Sequence, residues 1–543
     1  MKARLKILIV SVTYLICYNL TVHSQVKETY RPIDAITTEA LRHHSYFLAS
    51  DALEGRGTAT RGFKIASEYA ASQFQAAGVK PFITDENGQK TYFQKVPLIH
   101  KILDPQSVIQ VKSHKGEHAF VHGKKCIVAL VQNPEDMRIP SGSPVFVGFG
   151  ISEPEAGWDD YEGLDVRGKI VLCLSGSPYR NGKPVLPEKL NDAYADLVKG
   201  SRKKIERAKA QKATAVVFLL DPVSARGWET ISKISDFRQD VLHYPGMEPT
   251  YPEYLLPIIP VLLVHPDNTL LIFEAENYDP MRFFETGKYE DYKRFVLKNT
   301  TMTLKLGYKR MLVSSRNVVA MVPGTDPDLS HQVITVGAHL DHIGIINGEI
   351  YNGADDNASG SAALLEIAES VAMSPPRRPV LFILYTGEED GSYGSRFFTR
   401  NCPVPLKDVI VNINLDMLGR ESGQAEKKGS IQAFGPLQFS PELYDILVSV
   451  NKRTEKIPLV VEHDQKDIQR FITTGDQQNW YQQGIPFVYF CDFGSKDLHK
   501  PTDDPEKLDF NKIKTVSRLV YELVMELGKR DKALSRFDEP ILK

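Results

Sequence analysis

The spacing of apolar positions divides the chain into three blocks. In FKIASEYAASQFQAAGVKP the Ala, Tyr and Phe residues recur at helical intervals, which predicts an amphipathic helix closing at Gly78. Between about residues 126 and 300, short apolar runs such as SPVFVGFG, GKIVLCL and TAVVFLL are broken by Gly and Pro and joined by a basic helix candidate, KKIERAKAQKA; this predicts a separate β-rich unit. From Asn317 onward, strand-like and helix-like segments alternate. NVVAMVP, QVITVGA, PVLFILY, DVIVNIN and IPFVYF read as strands. The first helix among them spans about Ser359 to Met373, with Asp356, Asn357 and Ser359 as caps and Ala363, Ile367 and Val371 on its apolar face. The alternation predicts an α/β fold, a mostly parallel sheet sandwiched by helices, beside the separate β-rich domain. No internal repeat interrupts this scheme.

Length and composition narrow the picture. At roughly 100–200 residues per domain, 543 residues make about three domains. An apolar share of 42%, a charged share of 25% and a mean hydropathy of -0.26 exclude wholesale disorder and a polytopic membrane protein. Lys+Arg 66 against Asp+Glu 68 leaves a charge of -2, so no global positive field draws the chain to nucleic acid or anionic lipid. Lys2, Arg4 and Lys6 precede an apolar stretch from Ile7 to Cys17, which is short for a membrane span and reads as an export signal over residues 1–24, cleaved before Gln25. Ile16 makes a poor lipoprotein box beside Cys17. Cleavage removes three cations and no anions, giving -2 - 3 = -5, and sends a chain with no stable membrane insertion to the periplasm or the exterior. The remaining cysteines, Cys126, Cys173, Cys402 and Cys491, lack CxxC spacing and are expected as buried free thiols.

The chemistry gathers where the strands of the last block end. His339 and Asp341 follow QVITVGA, Glu388 and Glu389 follow PVLFILYTG, and Asp416 follows DVIVNINL, all at the carboxyl edge of one sheet. Asp355 in YNGADDNASG and His499 in DLHKPTDD add two loop positions. Carboxylates and imidazoles without a thiolate suit zinc in a hydrolytic site. Two histidines and three carboxylates over-ligate one ion but can serve two, about 3.5–4 Å apart, if one carboxylate bridges. A further carboxylate must take the water proton and return it to the departing amine. Glu388 and Glu389 can divide those roles, and spacing alone does not say which takes which.

At these residues the sequence resembles the di-zinc exopeptidase family of bacterial secreted aminopeptidases, whose relatives include glutamate carboxypeptidase and transferrin-receptor ectodomains. The resemblance runs through SRNVVAMVPG, VGAHLDH, NGADDNASGSAALLEIA, LYTGEEDGSYGS, INLDMLGR and LHKPTDD, and is strongest from Ser315 to Asp504. It implies a zinc-exopeptidase fold with a protease-associated (PA)-like insert, divided as residues 25–125 and 301–543 for the peptidase domain and 126–300 for the insert. It also implies two zinc ions per chain: His339 and Asp416 on one, Glu389 and His499 on the other, and Asp355 bridging. Asp341 would orient His339 through its second ring nitrogen. Glu388 would be the general base and then the general acid. Leu498 stands where some relatives carry an oxyanion-stabilising Tyr, so Tyr489 or a backbone amide is left to serve. Asp476 falls near a Ser-Asp element of the family; His331, His342 and His463 have no ligand slot and read as structural.

The implied activity is removal of N-terminal residues from peptides. A carboxypeptidase acting on acidic dipeptides is the alternative and needs cations at the pocket, for which Arg420 and Arg470 are available. A catalytically inactive binding protein is the third reading. Oligomeric state is not legible.

Overall fold

A strand buried on both faces needs apolar residues at successive positions, and the runs after Asn317 supply them. The computed structural model of the chain describes residues 31–537 except 105, 129–136, 181–182, 230, 232–240, 244, 246–258, 289–290, 347, 422–428, 462–473 and 494. The export signal expected over 1–24, His463 and Arg470 lie outside the described residues.

The elements that position the site are, in chain order, α1 (Thr38–Leu48), α2 (Arg61–Ala76), β1 (Phe93–Leu103), β2 (Tyr308–Val322), β3 (Val333–His339), α3 (Gly360–Met373), β4 (Val380–Tyr385), α4 (Tyr393–Arg400), β5 (Val409–Asp416), β6 (Ile431–Phe434), α5 (Pro441–Arg453), β7 (Phe487–Cys491) and α6 (Phe510–Lys529). They build one large sheet in the order Val241–His243, β1, β2, β4, β3, β5, β7, β6, Leu459–Val461. The neighbours β4, β3, β5 and β7 run parallel. On one side β1 and β2 run antiparallel, and on the other β6 opposes β7. The expected mostly parallel sheet is therefore a mixed one, parallel in its middle and at the edge pair of β6 and Leu459–Val461. The reason is the short link from Val322 to Val333, which holds one 3₁₀ turn and no crossover helix, so the chain must reverse.

Alternation along β4 shows how the layers form. Val380, Phe382 and Leu384 enter the larger core with α1, α2, α3 and α6, whereas Leu381, Ile383 and Tyr385 enter a smaller one with Phe398 and Trp480. Helix α3 lies deep between layers and is apolar on nearly every side. Its expected caps divide. Asn357 Oδ1 accepts the Gly360 amide at 2.9 Å, but Ser359 Oγ donates to the Asp355 carbonyl and Asp356 faces the sheet edge. Helix α2 closes at Gly78, whose φ of +75° is left-handed.

A second core, from Ile109 to Tyr308, belongs to the inserted unit. Six strands, among them Ile170–Leu174 and Ala215–Leu219, form one sheet, and four more, from Val108–Ser113 to Thr300–Leu306, form another. Ile109, Val111 and Phe120, of a hairpin that precedes the expected boundary at 126, pack into the same core. The basic helix candidate lies within Leu197–Ala210. Cys126, Cys173 and Cys491 are buried free thiols and Cys402 is half-buried. No described helix is long and apolar enough to cross a membrane.

Arg56 fastens the N-terminal segment to the sheet edge. Its buried guanidinium donates to the carbonyls of Leu340 at 2.9 Å, Asn352 at 2.7 Å, Gly353 at 2.9 Å and also Leu48. It therefore ties the end of α1, the residue after β3 and the loop leading to Ala354. Burial pushes its pKa down to about 10, against the pull of Asp356, Asp341, Asp503 and Glu389. An ammonium cannot span these acceptors. Arg56→Lys is expected to lower stability by about 3 kcal/mol in denaturant unfolding, whereas Leu312→Ser, at a site 85% exposed, should stay within about 0.5 kcal/mol. Equal effects of the two would refute the clamp.

Candidate metal centre

Because β3, β4 and β5 are parallel neighbours, their carboxyl ends meet on one edge. His339 closes β3, Asp416 closes β5, Glu388 and Glu389 follow β4, and the irregular turn Ala354–Ser359 leads into α3. His499 comes from the segment after β7 and has a left-handed φ of +53°.

Asp356 lies at the centre. Its Oδ1 is 3.3 Å from His339 Nε2, and its Oδ2 is 3.7 Å from His342 Nδ1 and 3.2 Å from His499 Nε2. On one side His339 Nε2 is 3.1 Å from Asp416 Oδ1. On the other, Glu389 Oε1 is 2.6 Å from His342 Nδ1 and its Oε2 is 3.1 Å from His499 Nε2. Among the described residues two donor groups result, His339/Asp356/Asp416 and His342/Asp356/Glu389, each with ligand atoms within 4.8 Å of one another and sharing Asp356. The donors are nitrogen and oxygen without sulfur, the set that zinc accepts in hydrolytic sites.

The structure thus brings together His339, Glu389, Asp416 and His499 and leaves Asp355 aside. The Asp355 Oδ1 accepts the Gly419 amide at 2.7 Å, and its Oδ2 is buried without a hydrogen-bond partner among the described residues. Asp356, and not the expected Asp355, is the carboxylate common to both donor groups. The correction is one residue along an irregular turn, where no periodicity selects between adjacent acids. Asn357 fixes that turn: its amide nitrogen donates to the Leu415 carbonyl and its Oδ1 accepts the Met417 amide. Asp503 receives the amides of Asp355 and Asp356 at 3.0 and 3.1 Å.

Asp341 also acts differently from expectation. Its carboxylate accepts the amides of Glu388 at 3.2 Å and Glu389 at 3.3 Å, together with the Thr58 hydroxyl at 3.1 Å. What His339 Nδ1 meets is the Asp341 carbonyl, at 3.1 Å. A carbonyl only accepts, so Nδ1 carries the proton and Nε2 offers its lone pair toward Asp356 and Asp416. His342, read as structural from sequence, holds Glu389. Tyr489 donates its hydroxyl to Asp416 Oδ2 at 2.7 Å and so orients a ligand candidate.

Charge explains why these groups need a cation. Burial raises the Glu388 carboxyl well above its ordinary range, and Glu389, Asp476 and Asp416 add repulsion that the His339 imidazole only partly offsets. Burial likewise lifts Asp476, to about 7. Glu389 goes the other way: burial and Asp356 push it up, but the His499 and His342 imidazoles outweigh them and hold it at about 2. Burial would lower His339, yet Asp416, Glu388 and Asp356 raise it well above 6.5. Carboxylates crowded in this way favour a divalent ion among them.

Two cavities flank this cluster and share Glu389 and Asp390 as a rim. One, of about 310 Å³, reaches Glu388, Asp416 and His499 and has Met417, Tyr489, Phe493 and Leu498 on its apolar side. The other, of about 390 Å³, opens beyond His342 toward β1 and β2.

Comparison with known proteins bears on the same residues. Leucine aminopeptidase 1 of Arthroderma otae is 27% identical over 230 residues, 39% of this chain and 58% of the relative. Leucine aminopeptidase 1 of Trichophyton rubrum is 27% identical over 231 residues, 40% and 59% respectively. The chain therefore spans under two thirds of these relatives' length. Two solved structures share the fold across most of both chains. The aminopeptidase from Aneurinibacillus sp. strain AM-1 has a TM-score of 0.52 at 16% identity, covering 94% of this chain and 98% of that one. The zinc aminopeptidase from Bacillus subtilis has a TM-score of 0.50 at 16% identity, with coverage of 91% and 96%. Residues 317–524, which carry Asp356 and every ligand candidate around it, match the model of peptidase family M28.

Proposed function

We propose that the chain is a zinc-dependent exopeptidase that removes N-terminal residues from peptides, using two zinc ions. The observation that carries this reading is the Asp356 carboxylate, one oxygen toward His339 and the other toward His342 and His499, with Glu388 next to the ligand candidate Glu389. His339, Asp356 and Asp416 would hold one ion; Asp356, Glu389 and His499 would hold the other, with His342 steadying Glu389. Zinc bound there supplies Lewis acidity, acidifying water and polarising a carbonyl. Glu388, held by its backbone on Asp341, takes the proton of the attacking water and returns it to the departing amine. Asp341 is a positioning residue for that turn. The apolar side of the smaller cavity, with the two relatives named leucine aminopeptidase, supports an apolar first side chain.

The acidic-dipeptide carboxypeptidase has less support. Arg420, one of its two cation candidates, is 2.8 Å from Asp497 and serves the loop that carries His499. An export signal over residues 1–24 and a PA-like character for the insert belong to the same reading.

Leucyl anilide should be hydrolysed, with near two zinc per chain by metal analysis and activity lost to chelator; cleavage of N-blocked acidic dipeptides alone would overturn the aminopeptidase reading. Glu388→Gln should keep its zinc and lose about 10²–10⁴-fold in kcat. Retained turnover would remove Glu388 from proton transfer. Asp356→Asn should abolish stoichiometric zinc, whereas Asp355→Asn should keep at least most of it, and the reverse result would restore Asp355 as the bridge.

A further inference from the structure

The larger cavity is unused by the chemistry described so far, and it is walled by elements that do not belong to the sheet edge. Thr58 and Ile343 lie on its near side, Ile345 on the strand Gly344–Ile346 that pairs with Glu349–Tyr351, and His100 and Val313 on the ribbon of β1 and β2 that leads into the insert. Leu242 closes it from the edge strand beside β1.

The wall continues past the cavity. Met311 pairs with His100 and stands two residues from Val313 on the same strand, so these side chains share one face of the ribbon. Met311 is 46% exposed beside the lining residue His100, and the lining residue Ile345 is 50% exposed, so large apolar groups stand open to solvent on the ribbon and on the cavity wall. A trough that ends at a reactive centre and carries apolar side chains along its wall marks a binding site. Its occupant is constrained by the rim it shares with the smaller cavity. A peptide bond set at Asp356 and Glu389 has one side toward Met417 and Phe493 and the other toward His342 and Val313.

We infer that this trough is a subsite for apolar side chains of the peptide beyond the scissile bond, so that the ribbon of β1 and β2 selects the continuing chain while the smaller cavity takes the residue removed. The inference rests on the exopeptidase reading. It makes the chain a peptidase for extended, apolar peptides.

The test compares kcat/KM for Leu-Phe-Leu-Gly with that for leucyl anilide, which lacks the continuing chain. In the double variant Met311→Glu/Ile345→Glu the peptide-to-anilide ratio should fall about tenfold, the scale on which apolar pocket contacts discriminate. Leu312→Glu, on the opposite face of the ribbon, should leave the ratio as in the wild type. An unchanged ratio in the double variant, or an equal fall in Leu312→Glu, would overturn the subsite. If the wild type cleaves neither substrate, the exopeptidase reading fails on its own. Fluorescence anisotropy on Glu388→Gln protein then still decides the trough. A dye-labelled Leu-Phe-Leu-Gly should bind at least about fivefold tighter than Leu-Ser-Gly-Gly, and Met311→Glu/Ile345→Glu should erase the difference. No preference would overturn the inference.

Discussion

A single carboxylate shared between two sets of imidazoles is the interaction around which this sheet edge is arranged. Asp356 faces His339 with one oxygen and His342 and His499 with the other, inside a region where Asp341, Asp355, Asp416, Asp476 and Asp503 are also buried. Buried like charges repel strongly in a medium of low polarisability, so such an arrangement persists only if each carboxylate has a donor or a cation. The surroundings supply donors in layers. Asp503 takes two amides of the turn, Asn357 joins the turn to β5, and Arg56 holds the carbonyls of Leu340 and Gly353 on either side. The remaining demand for positive charge falls between the imidazoles, where a divalent ion would satisfy it.

The ligand candidates are fixed to different degrees. Asp416 is held by the Tyr489 hydroxyl, and the Glu388–Glu389 turn by the Asp341 carboxylate. His499 is 52% exposed and depends on its loop. That loop is gathered by Asp497, which accepts from Arg420 at 2.8 Å, Thr502 at 2.6 Å and Lys507 at 3.2 Å. The Arg420 carbonyl in turn accepts from Lys512, whose ammonium pairs with buried Asp492. One face of the centre is thus built into the sheet, and the other is hung from a surface loop braced by ion pairs. The half that carries His499 is the one open to solvent.

The sequence made the strands after Asn317 legible because their apolar runs are long and end in chemistry-bearing residues: His339 and Asp416 are the last residues of their strands, and Glu388 and Glu389 follow Tyr385 by three and four residues. Strand direction was harder to read. Nothing in NVVAMVP distinguishes an antiparallel strand from a parallel one; the short link after it does, through its lack of a crossover helix. Asp355 and Asp356 could not be told apart, since the turn that carries them has neither a period of 3.6 nor of 2. His342 was dismissed for want of a ligand slot, yet its contact with Glu389 requires only that both residues follow adjacent parallel strands, a relation the strand assignment already contained. Arg56 gave no signal of this kind, because its partners are backbone carbonyls contributed by three separate segments.

The ribbon of β1 and β2 links specificity to chemistry through its register. Phe93 to Leu103 pair without interruption with Val318 to Tyr308, so a slip at either end moves every residue along it. At the sheet end the register is pinned by a buried pair of amides. Asn317 donates to Gln94 Oε1 at 2.9 Å and to the Gly394 carbonyl at 2.9 Å, while its Oδ1 accepts the Thr386 amide at 3.1 Å. Thr386 lies two residues before Glu388. A one-residue slip would leave these amides unsatisfied in the interior and would turn Val313 and His100 to the opposite face. The same side chain that seats the turn carrying Glu388 therefore also sets which face of the ribbon lines the larger cavity.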